Sequence, residues 1–149
     1  MPYQQKSNYI SLITTIIIFG IYYFFIFQFY HEGRFEGAGA NALIGKSILW
    51  LIAGGVIINI VAHILFAIIF AMITNEAEPD YLVDERDKLF ELKALRVAYY
   101  IIGFGFIASM VALAMGQSVF ITINILLLFT AIAGIVESFM QIYFYRRGF

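Results

Sequence analysis

Two ionisable side chains, His63 and Glu137, fall inside long apolar stretches of this 149-residue sequence. A charged group at bilayer depth costs about 2.5–3.5 kcal/mol even on lenient insertion scales. Such a residue therefore marks proton or ion handling, or a hydrogen bond between helices. Asn59 precedes His63 by four residues, and Gln141 follows Glu137 by four with Ser138 beside it, so each pair shares a helix face. Asn59, His63, Glu137 and Gln141 thus form a candidate intramembrane polar site. The residue types allow three uses. Glu137 carries a proton with His63 as relay, in a small transporter or channel. Alternatively, interhelical hydrogen bonds fix which helices pair. In the third, Glu137 snorkels to the interface where Arg146 and Arg147 stand. A contact between His63 and Glu137 requires the second and fourth apolar stretches to be neighbours.

A second constellation lies outside the apolar stretches. Asp84, Asp87 and Glu91 are spaced i, i+3, i+7, which places three carboxylates on one helical stripe. They could present oxygens to a cation or dock a partner. Arg86, Lys88 and Lys93 neutralise much of that charge, and a capped, solvated helix start with local pairs such as Asp84–Lys88 explains the same pattern. His31, Glu32 and Glu36 could supply oxygen and nitrogen to a divalent ion, but they read more simply as a wet, glycine-rich connector. Gly45-Lys46-Ser47 lacks the upstream glycine of a phosphate loop. No nucleophile–base constellation is visible and the chain has no Cys, which excludes disulfides, thiolate metal sites and Cys nucleophiles. The sequence predicts neither a metal nor another cofactor, and no enzyme activity.

The elements that position these residues follow from composition. The chain is 62% hydrophobic and 13% charged, about half the charge that solvates a soluble domain. Its net charge of −1 argues against nucleic acid as a partner. A bilayer-spanning helix needs roughly 20 apolar residues. Four stretches qualify, at about 9–30, 48–73, 97–115 and 119–145. They do not alternate as barrel strands do, and continuous apolar backbone in lipid must be helical. The expectation is one all-α domain of four transmembrane helices, up-down-up-down. The first stretch is too long for a cleaved signal peptide. The third helix is expected to extend through the charged segment 84–96, with Asp84 as N-cap. Gly116-Gln117-Ser118 reads as a tight turn, making the last two spans a hairpin.

Small residues at fours (Gly105/Ser109, Ala108/Ala112/Gly116, Thr130/Gly134/Ser138) read as close-approach stripes for that hairpin or for a homodimer, and Gly54-Gly55 as a bend or tight crossing. Lys6, Arg86, Lys88, Lys93, Arg96, Arg146 and Arg147 flank one side of the membrane, whereas only Arg34 and Lys46 flank the other. By the positive-inside rule both termini face the cytoplasm. Tyrosines near the span ends, among them Tyr9, Tyr22, Tyr23 and Tyr30, read as interfacial anchors.

The run Asp84-Glu85-Arg86-Asp87, followed by Glu91, Arg96 and Tyr99-Tyr100, with a last helix ending Tyr143-Phe144-Tyr145-Arg146-Arg147-Gly148, resembles a broad group of small, uncharacterised four-span prokaryotic membrane proteins. The resemblance covers roughly residues 83–149. It implies a prokaryotic inner membrane. Genes of the group often sit near small helix-turn-helix regulators, which implies a regulated envelope role and carries over no catalytic residue. The resulting expectation is a non-enzymatic accessory or regulatory membrane subunit, partnered by the lipid bilayer and by a second copy or another membrane protein. Its docking face would be Asp84, Asp87 and Glu91. The alternative is a small proton-coupled transporter or channel built on Glu137 and His63.

Overall fold

The computed structural model of the chain describes residues 3–74 and 85–147. Four helices account for nearly all of them: α1 (Tyr3–His31), α2 (Ala40–Thr74), α3 (Glu85–Ala114) and α4 (Val119–Arg147). All four are long and apolar enough to cross a membrane, and no strand occurs among the described residues. The chain is a multipass membrane protein with an all-α four-helix architecture. Each helix overhangs its apolar stretch: the flank Glu85–Arg96 is rich in good helix formers, and Lys6-Ser7-Asn8 contains no Gly or Pro to break the helix. Asp84 and the preceding acidic loop lie outside the described residues.

The turns are set by two glycines. α3 ends with Gly116 at φ 77°; its N–H donates to Leu113 C=O, and the Gln117 N–H reaches back to Ala112 C=O. This pair of hydrogen bonds is the Schellman closure, and it needs a left-handed backbone conformation that only glycine adopts freely. Ser118 then caps α4, accepting from the Ile121 N–H at 3.3 Å. α1 ends the same way: Gly33 sits at φ 68°, and the Arg34 N–H reaches Phe29 C=O.

The helices pack in the order α3–α4–α1–α2, each against its neighbours and antiparallel to them, with α2 touching α4 only marginally and α3 meeting neither α1 nor α2. The α3–α4 seam is the closest. Gly105, Ser109 and Ala112 are buried along it, and Gly105 faces Phe129 so tightly that a Cβ would stand 2.7 Å from the Phe129 Cγ. The last expected stripe divides its partners: Gly134 faces Thr15 of α1 rather than α3. α1 and α2 cross at Gly55, where an added Cβ would meet Ile18 at 3.5 Å. On the turn side Phe120 is sandwiched by Tyr30 (centroids 5.1 Å apart) and Phe35 (4.4 Å), fastening the α1–α2 connection to the start of α4.

The remaining surface is apolar. No residue in the most apolar stretch of α2 is buried. Ile52, Ile57, Ile64 and Ile68 are among many large side chains left exposed. In water such a face would aggregate; in hydrocarbon it is the expected lipid surface.

Candidate functional site

His63 projects from α2 onto α1, on the stripe Leu51, Gly55, Asn59, His63 that follows i, i+4 spacing. Its ring is held at both nitrogens: Ser7 Oγ lies 3.4 Å from Nδ1 and Ser11 Oγ 3.2 Å from Nε2. A neutral imidazole has one donor and one acceptor. One serine hydroxyl therefore donates to the bare nitrogen, and the other accepts the ring N–H. Ser7 and Ser11 are themselves one turn apart, so the pair matches the two edges of a single ring.

Glu137 sits on α4. Gln141 Nε2 donates to its Oε1 at 3.4 Å, and the Glu91 carboxylate is near enough to act on it through space. Farther along, Tyr145 hydrogen-bonds Asp87 of α3. Phe90 is 2% exposed, with Phe144 stacked on it at 5.7 Å and Tyr145 edge-on at 5.4 Å. Arg86 covers the same ring at 5.3 Å. The charged start of α3 is thus bound to the end of α4 by an aromatic clamp, and Asp87 belongs to that clamp. Glu91 remains exposed beside Leu89 and Leu92.

The structure does not bring His63 and Glu137 together. No hydrogen bond or ion pair joins them among the described residues, because α1 stands between α2 and α4 and supplies the partners of His63. Their heights do correspond. Gly105 faces Phe129; eight residues on along α4 and eight back along α3 place Glu137 level with Val97, the first residue of the third apolar stretch. His63 is level with Ser7–Ser11, where the first apolar stretch begins at Tyr9. Both ionisable groups therefore lie at similar height, in the half of the bundle on the side of the termini.

Asn59 has no hydrogen-bond partner among the described residues; it lines, with His63, Thr15 and Thr130, an open groove of about 660 Å³ between α1, α2 and α4. On the other side of the Gly55–Ile18 crossing a narrower cleft of about 280 Å³ is lined by α1 and α2 alone. The loop carboxylate Glu32 is paired with Arg34 at 2.6 Å, and no group of three or more His, Asp or Glu that could hold a metal occurs among the described residues.

Sequence reasoning missed two groups. Ser7 and Ser11 stood at the start of the first apolar stretch without being singled out; their i, i+4 spacing opposite that of Asn59 and His63 was the available signal. Asn124, inside the fourth apolar stretch, accepts the Tyr22 hydroxyl at its Oδ1 (3.4 Å), and its backbone C=O accepts that of Tyr23 (3.2 Å). Tyr22 is buried and ties α1 to α4 rather than anchoring at the interface.

No protein-family model matches the sequence, and no curated protein or solved structure matches it.

Proposed function

We propose that the protein is a non-enzymatic accessory or regulatory subunit of a prokaryotic inner membrane, with its termini in the cytoplasm, working through contacts at the cytoplasmic start of α3. The observation that carries this reading is the clamped helix start. Phe90 is locked between Phe144 and Tyr145, so the first turns of α3 are a fixed platform. That platform holds Leu89 and Leu92 55% and 60% exposed beside Glu91 and Lys93. Exposed leucines rimmed by charge are the composition of a docking patch. Asp87 serves the platform through Tyr145, and Glu91 belongs to its outer face; Asp84 completes the acidic stripe in sequence. The partner is another membrane protein or a second copy.

The test is a membrane pull-down with Leu89→Ser/Leu92→Ser. Loss of a captured partner from a folded, inserted variant supports docking; the same partner retained at full yield rejects it.

The groove lined by Asn59 and His63 favours a second reading, proton-coupled transport. In proteoliposomes the docking reading expects no pH-dependent flux from the parent protein. Flux that vanishes in Glu137→Gln or His63→Gln replaces docking with transport.

A further inference from the structure

The narrower cleft has the dimensions of one lipid leaflet. On α2 it runs from Ser47 to Ile58 and on α1 from Phe29 back to Ile18. Each wall covers eleven residue steps, roughly 16 Å at about 1.5 Å per residue. Half of a ~30 Å hydrocarbon core is about 15 Å. The cleft thus begins at the membrane boundary, where the second apolar stretch starts, and ends near the bilayer midplane. Its walls come from α1 and α2 only, so it opens away from α4 onto the surface that lipid covers. The lining is aliphatic and aromatic apart from the Ser47 and Tyr22 hydroxyls, and both of these are committed, Ser47 to Ile44 C=O and Tyr22 to Asn124. An apolar chain loses nothing by entering.

The mouth carries a charge that the protein does not neutralise. Lys46 is exposed, immediately before Ser47, and has no carboxylate partner among the described residues. Arg34, on the same side, is already paired with Glu32. One turn below Lys46 stands Trp50, 75% exposed at the rim of the cleft. A cation at the headgroup level, a tryptophan below it and a leaflet-deep apolar slot match the three parts of one phospholipid: phosphate, glycerol-ester region and acyl chain.

We propose that the cleft between α1 and α2 is a binding site for one phospholipid of the leaflet on the α1–α2 turn side, its acyl chain seated between the helices and its phosphate on Lys46. The lipid is an integral wedge that fills the flare beyond the Gly55–Ile18 crossing.

Trp50 is the only tryptophan in the chain, so it reports on the site directly. The full-length protein is purified in detergent and titrated with a phospholipid brominated along one acyl chain, a contact quencher of indole fluorescence. The expected result is saturable quenching at about one lipid per chain. Gly54→Leu should abolish it, since a side chain at Gly54 meets no atom within 4 Å at its Cβ and grows into the cleft. Lys46→Gln should weaken it about fivefold, the worth of one basic residue at a headgroup. A brominated fatty-acid methyl ester, which has no phosphate, should bind the parent protein as weakly as the phospholipid binds Lys46→Gln. Moving the reporter to the exposed face of α3, in Trp50→Phe/Phe104→Trp, should leave only linear, non-saturable quenching, and this variant leaves the cleft backbone intact. Linear quenching at Trp50, saturable quenching equally strong at Phe104→Trp, or saturation unchanged in a folded Gly54→Leu would each show annular lipid only and overturn the site. Methyl ester binding as tightly as phospholipid overturns the role of Lys46.

Discussion

Replacing Gly105 with alanine gives the sharpest test of how the helices are held. In a helix, glycine to alanine normally stabilises by roughly 1 kcal/mol, because alanine restricts the unfolded chain and has the better helix propensity. At Gly105 the structure reverses the sign. The new Cβ would lie 2.7 Å from the Phe129 Cγ and closer still to its Cβ, whereas carbon atoms settle at about 3.5–4.0 Å. The Cβ of Phe129 is fixed to the α4 backbone, so no rotamer relieves the contact. The α3 and α4 backbones must separate by on the order of 1 Å, the gap between those distances. That separation unpacks buried Ser109 and Ala112 on the same seam. Overpacking of this kind costs about 1–3 kcal/mol. Gly103, two residues away and exposed with nothing within 4 Å of its Cβ, is the internal control. Reversible unfolding in bicelles should rank Gly103→Ala at or above the parent and Gly105→Ala about 1–3 kcal/mol below it. Equal stability of the two variants would refute the assigned seam.

Phe90→Ala removes a 2%-exposed ring from the clamp and should cost about 3–5 kcal/mol if the start of α3 unfolds with the rest; hydrogen exchange then shows loss of protection at 85–96 before any loss within the spans. Ser7→Ala/Ser11→Ala leaves the His63 ring without either partner and should destabilise the α1–α2 pair by about 1–3 kcal/mol, while His63→Ala in the same background adds little; additive losses contradict the pairing. Glu137→Gln keeps an oxygen for Gln141 and should match the parent in stability, whereas Glu137→Leu should fall about 1 kcal/mol below it; equal losses show that the hydrogen bond is irrelevant. For topology, the absence of Cys makes Glu85→Cys a clean probe: an impermeant maleimide should label it only after cells are opened, and labelling of intact cells reverses the orientation.

The spans were legible because apolar runs of that length admit one secondary structure in lipid. So were the Gly116 turn, the close seam at Gly105 and the crossing at Gly55, since each rests on a local property of small residues. Helix order was not legible. α2 and α4 are apolar on nearly every side, and a helix without a distinct polar face does not announce its neighbour. That is why the pairing of His63 with Glu137 remained open in the sequence and fell to α1 in the structure. Asn124 and the serines escaped notice for a related reason: a neutral polar side chain is cheap enough near a boundary that composition gives it little weight, yet each of these fixes a helix pair.

The apolar run of α2, Ile48 to Ile73, rises roughly 39 Å at about 1.5 Å per residue, well beyond a ~30 Å core. Such an excess is relieved by tilt or by thickening the bilayer. α2 is fastened chiefly to α1 and crosses it at Gly55 against Ile18, so any tilt of α2 changes the angle of that crossing. The α3–α4 hairpin, sealed along its own seam at Gly105, has no contact with α2 through α3 and is left out of that adjustment.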